Sequence, residues 1–177
     1  TAAADERVFA IDVFENQSLN TDRSGRGDRL QFMRNLHRWY EKPGDVEVIS
    51  ISSLEIKPSD IIAACGQVRL ASIDGGHTEE CTLNDLRLVE GILTPEGVAI
   101  VDDYFNQNWP DVSTGVAKYL LESNSKLRPF VITPNKLYLT ASANIETYRL
   151  LIEAHQEFSM SKRSQMFGWD VDIYGTG

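Results

Sequence analysis

The sequence predicts an α/β fold: a mostly parallel sheet with helices on both faces, finished at its C-terminal end by an antiparallel β-hairpin. Three observations predict it. Two apolar runs, Val68-Arg69-Leu70-Ala71-Ser72-Ile73 and Gly97-Val98-Ala99-Ile100-Val101, each end in acid, at Asp74 and at Asp102-Asp103, with a helix-like segment over 79–91 between them. Strand-like and helix-like segments alternate along most of the chain, the pattern of βα units on a parallel sheet. Pro134-Asn135 separates two β-rich runs, a hairpin signal. In an open parallel sheet the carboxyl ends of the strands open onto one crevice. Asp74, His77, Asp102 and Asp103 are therefore expected to converge.

The elements follow in order. Residues 7–14 read as a buried strand carrying Asp12 near its end. Residues 15–27 are polar and read as a long loop; loops of that length are often functional. A helix starts at Asp28, with Leu30, Phe32, Met33, Leu36, Trp39 and Tyr40 on one face, and stops at Pro43-Gly44. Residues 46–51 form the next strand, and a short helix is expected from an N-cap at Ser59 to Gly66. Then come strand 68–73, helix 79–91, a Pro95-Glu96-Gly97 turn and strand 97–101. A helix over 112–123, strands 128–133 and 136–140, and a helix over 145–158 follow. Residues 169–174 read as a final edge strand.

The 177 residues suit a single domain, and 42% hydrophobic residues provide a core at that size. A net charge of −9 disfavours nucleic acid and anionic membrane surfaces as partners. No apolar run approaches the ~20 residues of a membrane span, and the first residues lack a signal-peptide pattern. Cys65 and Cys81, the two cysteines, form neither a disulfide framework nor a zinc pattern. They are read as reduced, buried thiols of a cytoplasmic protein.

Four motifs carry a resemblance: Ile73-Asp74-Gly75-Gly76-His77-Thr78-Glu79-Glu80, Asp85-Leu86, Leu93-Thr94-Pro95-Glu96-Gly97 and Val101-Asp102-Asp103-Tyr104. In this order and spacing the chain, over about residues 7–141, resembles a class I S-adenosylmethionine-dependent methyltransferase. The branch is that of small-molecule O-methyltransferases with an IDGxH loop and a DDY strand end. The resemblance implies a Rossmann-like sheet. It makes residues 7–14 the family's second strand and leaves the family's first strand, with its glycine-rich cofactor loop, without a counterpart; Gly25-Arg26-Gly27 follows the wrong strand. The numbered sequence is thus expected to begin downstream of that loop or to be a divergent member. Either another segment fills the central gap or the chain pairs with another chain, which makes a homo-oligomer an open expectation.

The resemblance also implies roles. Asp12 would hold the ribose hydroxyls of the methyl donor, and Ser53 would flank its adenine. Asp74, Asp102 and Asp103 would hold Mg²⁺, with Asp74 also at the cofactor. His77 would take the proton of the acceptor hydroxyl, with Asp74 beside it, and Trp109 would line the acceptor pocket. Each has a plainer reading: a solvated strand-end acid for Asp12, a helix-start polar group for Ser53, caps of the next segment for Asp102 and Asp103, a loop-holding histidine for His77, and packing under a loop for Trp109. His37 and His155 are read as surface or packing residues, and Arg26-Gly27-Asp28 as a chance tripeptide. The expected activity is metal-assisted O-methylation of a small-molecule hydroxyl. The alternative is a non-catalytic binding or scaffolding domain that lost the donor site. A phosphoacceptor receiver fails because too little chain follows Asp103 for its βα units.

Overall fold

The computed structural model describes residues 7–20, 22–155 and 160–175. The order is β1 (Val8–Asp12), α1 (Arg29–Trp39), β2 (Val46–Ser50), α2 (Pro58–Cys65), β3 (Val68–Ile73), α3 (Glu79–Ile92), β4 (Leu93–Asp102), α4 (Pro110–Leu121), β5 (Leu127–Thr133), β6 (Lys136–Ala141), α5 (Ile145–Glu153), β7 (Met160–Met166) and β8 (Trp169–Tyr174). β1 and β2 pair in parallel as a two-stranded ladder. The other six strands form one sheet in the order β3-β4-β6-β5-β8-β7. β3–β4 and β5–β8 are parallel, whereas β4–β6, β5–β6 and β7–β8 are antiparallel. The sheet is therefore parallel through its βα half and mixed towards the C-terminus, where the β7–β8 hairpin closes it.

Alternation along β4 sorts the core onto the two faces, because successive side chains of a strand point oppositely. Ala99 and Val101 pack with Leu86 and Val89 of α3 and Val116 and Tyr119 of α4. Val98 and Ile100 pack on the other face with Phe130, Ile145 and Tyr148. A third cluster, Ile61 with Leu88 and Ile92, reaches Phe9 and Ile11, so α2 joins the β1–β2 ladder to the main sheet. α3 and α4 approach closely at Gly115, where an added Cβ would lie 2.7 Å from Thr82 Cβ.

Several expected boundaries move. α2 starts at Pro58, not from a cap at Ser59; proline suits the first helical position because it has no N–H to leave unpaired. Pro110 sets the start of α4 in the same way, two residues before the expected Val112. The expected Pro95-Glu96-Gly97 turn lies inside β4: Val68 pairs with Leu93 and Leu70 with Val98, so the intervening residues bulge from the ladder. The last helix stops at Glu153, and positions 156–158 of its expected span lie outside the described residues. Residues 169–174 are not the edge: β8 lies between β5 and β7, and β7 is the edge strand. Cys65 and Cys81 are free thiols, but each is half-buried rather than buried as expected. Among the described residues no helix is long and apolar enough to cross a membrane.

Candidate functional site

The carboxyl ends of β1, β3 and β4 open onto a cavity of about 1790 Å³, lined by Asp12, Ser53, Asp74, His77, Asp103 and Trp109 among others. Inner residues of both β1 and β3 also line it, so the space runs between the two ladders.

β1 delivers Asp12 to the rim. Its Oδ1 accepts from the Phe14 amide at 2.6 Å, which leaves acceptor capacity on the carboxylate. Phe14 then turns through a positive φ of 44°, is 3% exposed and meets the Phe32 ring at 5.6 Å. The chain is thereby folded back over the cavity as the 15–28 loop. Asp28 ends that loop by capping α1, its Oδ1 accepting from Gln31 N at 2.8 Å. Ser53 lies after β2; its carbonyl accepts from Asn84 Nδ2 at 2.9 Å, and its side chain hydrogen-bonds Asp85. Burial pushes the Asp85 carboxyl upward, although the Ser53 and Asn84 hydrogen bonds work against it.

β3 delivers the 74–78 loop. Gly75 lets it cross α3 closely, since a Cβ there would lie 2.8 Å from Asp85 Oδ2. Thr78 ends the loop by accepting from Cys81 N at 3.2 Å. Asp74 is raised above the ordinary carboxyl value, first by burial and then by the charges of Asp102 and Asp103. Its near neighbour moves the other way. Burial works upward on Asp103 too, but hydrogen bonds from Asn106, Asn135 and His77 outweigh it and hold the carboxyl low. Asp103 adopts a φ of 56°, the left-handed region that a non-glycine residue seldom occupies, and this turn aims its side chain at His77.

His77 is the hub. Its Nε2 lies 3.0 Å from Asp103 Oδ2, its Nδ1 lies 2.8 Å from Asp22 Oδ2, and its ring stacks on Trp109 at 4.4 Å with a 20° tilt. Asp22 was not singled out in the sequence. Its Oδ2 also accepts the His77 backbone N–H, and its Oδ1 accepts from Ser24 N at 2.9 Å and Ser24 Oγ at 2.7 Å. Burial works upward on this carboxyl, yet the amides of His77 and Ser24, the Ser24 hydroxyl and the His77 ring together hold it at about 2. Asp22 thus ties the 15–28 loop to the 74–78 loop.

Of the three acids expected to share an ion, the structure groups two with the histidine. Ligand atoms of Asp74, His77 and Asp103 all lie within 4.8 Å of one another. Asp102 is turned elsewhere: Oδ2 pairs with Lys136 Nζ, and Oδ1 accepts from Asn135 Nδ2 at 2.8 Å and from the Asp103 amide at 2.9 Å. Asn135 belongs to the β5–β6 turn and also donates to Asp103 Oδ1 at 2.9 Å, so the hairpin buttresses both acids. His37 lies outside the site, its Nδ1 bonded to Met33 O at 2.8 Å on α1.

Three comparisons bear on this arrangement. A family model described as a methyltransferase domain matches residues 1–104. The fold is similar to that of the O-methyltransferase NovP, with a TM-score of 0.62 at 16% identity over 77% of this chain and 60% of that one. It is also similar to CalS11, a TDP-rhamnose 3′-O-methyltransferase of calicheamicin biosynthesis, with a TM-score of 0.52 at 20% identity over 76% of this chain and 58% of that one. The chain thus spans about 60% of the length of the first of these structures. Comparison with curated protein sequences gives no match.

Proposed function

The chain belongs to the methyltransferase-domain family whose model spans residues 1–104, and on that premise we propose that it takes part in S-adenosylmethionine-dependent O-methylation of a small-molecule hydroxyl, assisted by a divalent cation. The observation that carries the proposal is the meeting of Asp12, Ser53, Asp74, His77 and Asp103 on one cavity, although they come from four separate stretches of chain.

The donor set suits the cofactor. An ionised carboxylate only accepts hydrogen bonds, which matches a ribose diol at Asp12. Ser53, with Asp85 behind it, gives the far wall a polar edge for the adenine. When bound, S-adenosylmethionine supplies the electrophilic methyl group, and the chain's task is to align the acceptor with it and help remove the hydroxyl proton. Trp109 and the 15–28 loop would exclude water. The cluster of Asp74, His77 and Asp103 suits a divalent cation, because Asp74 already bears the repulsion of two neighbouring carboxylates. Such an ion lowers the pKa of a bound hydroxyl.

The strand order supports a further part of this reading, since among the described residues no ladder joins β1 to β3. β1 and β3 each have one paired neighbour, and the cavity runs between their open edges. A parallel strand seated there would complete one continuous sheet and bring its backbone to the donor site. The test is calorimetric titration with S-adenosylhomocysteine. Binding that Asp12→Ala weakens supports the proposal, and no heat from the folded protein favours a non-catalytic binding or scaffolding domain.

A further inference from the structure

The 15–28 loop leaves β1 and returns to α1 as a strap whose two ends are pinned together. Glu15 Oε1 accepts from the Arg29 amide at 2.8 Å. Gly27 packs on the Phe14 backbone so closely that a Cβ there would lie 2.6 Å from Phe14 Cα. Between those ends the strap braces itself. Asn20 Nδ2 donates to the carbonyls of Ser24 at 3.1 Å and Gly25 at 3.3 Å, and Gln17 Nε2 donates to that of Phe14 at 2.6 Å. A compact loop with adjoining ends is an Ω-loop, and these internal bonds let it move as one body.

Little else holds the strap down. Its described residues are all exposed or half-buried, and segments with few buried contacts open at low free energy. Among the described residues, the hydrogen bonds that leave positions 16–27 end on the hinge at Val13 and Phe14 or on His77. At the tip the pattern of exposure reverses: the Asp22 side chain is only 7% exposed. A carboxylate withdrawn from water is unfavourable unless other donors replace the water. Here the donors come from Ser24 and from His77, whose Nδ1 also lies 3.2 Å from Ser24 Oγ. When the strap swings out, the same carboxylate returns to water. The strap therefore has two competent positions, clasped and open.

We propose that residues 15–28 form a lid, hinged at Phe14 and Gly27 and latched by Asp22, whose closing over the cavity and fixing of His77 are one movement. The hinge lies just beyond Asp12, the tip lies on His77, and Leu19, Asn20, Ser24, Gly25 and Arg26 line the cavity between them. Asp22 itself is not among the cavity's lining residues. It grips both the backbone N–H and the ring of His77, so an open lid also releases the loop that carries the histidine. Asp22 is thus a positioning residue, acting through the cover and through His77. The donor as the covered ligand rests on the functional proposal; the latch rests on the geometry of the strap.

The test is limited trypsin digestion of the full chain, read by mass spectrometry, because Arg23 and Arg26 are exposed on the strap and Lys126 is exposed just before β5. When opening is fast compared with cleavage, the rate at each site follows the open population. Asp22→Ala should speed cleavage after Arg23 and Arg26 by about tenfold or more, the equivalent of one charge-assisted hydrogen bond, and leave cleavage after Lys126 unchanged. Gly27→Ala places its Cβ against the Phe14 backbone, away from the clasp, and should speed the same two cuts. In both variants the His77 amide proton, no longer donating to a carboxylate, should move upfield in the nuclear magnetic resonance spectrum. S-adenosylhomocysteine should slow both cuts in wild type. Unchanged cleavage at the two arginines in Asp22→Ala, an equal acceleration after Lys126, or a Gly27→Ala strap that opens while the His77 amide resonance stays in place would each overturn the proposal. Calorimetry in the same samples separates the two readings. S-adenosylhomocysteine that binds yet leaves the cuts unslowed removes the lid, and no heat of binding, with the effects of both variants intact, removes the functional proposal.

Discussion

Asp172→Asn should cost far more than a surface mutation, for reasons that lie in the interior of the sheet. Asp172 is 1% exposed on β8, flanked in register by Val131 of β5 and Arg163 of β7. Its Oδ2 accepts from Arg149 Nε at 3.1 Å and its Oδ1 from Arg163 Nε at 2.6 Å, with a further bond from Arg163 Nη2 at 3.2 Å. The Arg149 side chain is itself only 8% exposed. The substituted side-chain amide would keep an acceptor but remove the charge, leaving a buried guanidinium with only the exposed Glu146 as counter-ion. Breaking a buried pair from one side costs about 3–5 kcal/mol. Arg149 keeps the Asp170 carbonyl at 2.7 Å and the exposed Glu146, which favours the lower end of that range. A loss of about 3 kcal/mol corresponds to a fall in Tm of roughly 6–12 °C for a chain of this size. Urea denaturation at pH 7 measures it, with the slope m expected to be unchanged. A loss below about 1 kcal/mol, the range of solvent-exposed pairs, would refute the argument that this network is desolvated.

Asp22 should give the chain an acid-sensitive component. Its carboxyl is lowered from 3.8 to about 2 on folding, so its contribution, on the order of 2 kcal/mol, is complete above the unfolded value and is lost as pH falls through the folded one. Denaturation of wild type and Asp22→Asn between about pH 4 and pH 2 should show a steeper decline in wild type; parallel declines would count against the clasp. Amide exchange should separate the two ladders: the amides of β1, paired only to β2, should exchange well before those of β4, which has ladder partners on both sides. Equal protection in β1 and β4 would mean that the edge of β1 is not open.

Much of the fold was legible because its signals are local. The β3–α3–β4 unit, with acids at both strand ends, shows as apolar runs around a helical period. The β5–β6 hairpin shows at Pro134-Asn135, and α1 at the Asp28 cap. What was not legible depends on partners distant in sequence. β7, Met-Ser-Lys-Arg-Ser-Gln-Met, has no apolar alternation, because an edge strand with one exposed side needs none, and Lys162 and Arg163 suit such an edge. Residues 169–174 read as an edge strand, whereas β8 lies inside the sheet and two arginines make Asp172 tolerable there. Within the candidate site, Asp12, Ser53, Asp74, His77 and Asp103 were legible at strand ends and in the loops that follow. Asp22 was not, since an acid in a polar loop gives no hint of a histidine 55 residues away. The turning of Asp102 towards Lys136 was hidden for the same reason: the pairing follows from the β4–β6 register, in which the two residues lie opposite each other.

The most direct measurement is the paired calorimetric titration of wild type and Asp12→Ala with S-adenosylhomocysteine. If the rim of β1, β3 and β4 is the donor site, wild type binds and the variant, stripped of one or two charge-assisted hydrogen bonds of about 1.5–3 kcal/mol each, binds at least tenfold more weakly while remaining folded. Equal affinity in the two proteins would place the donor elsewhere and contradict the account.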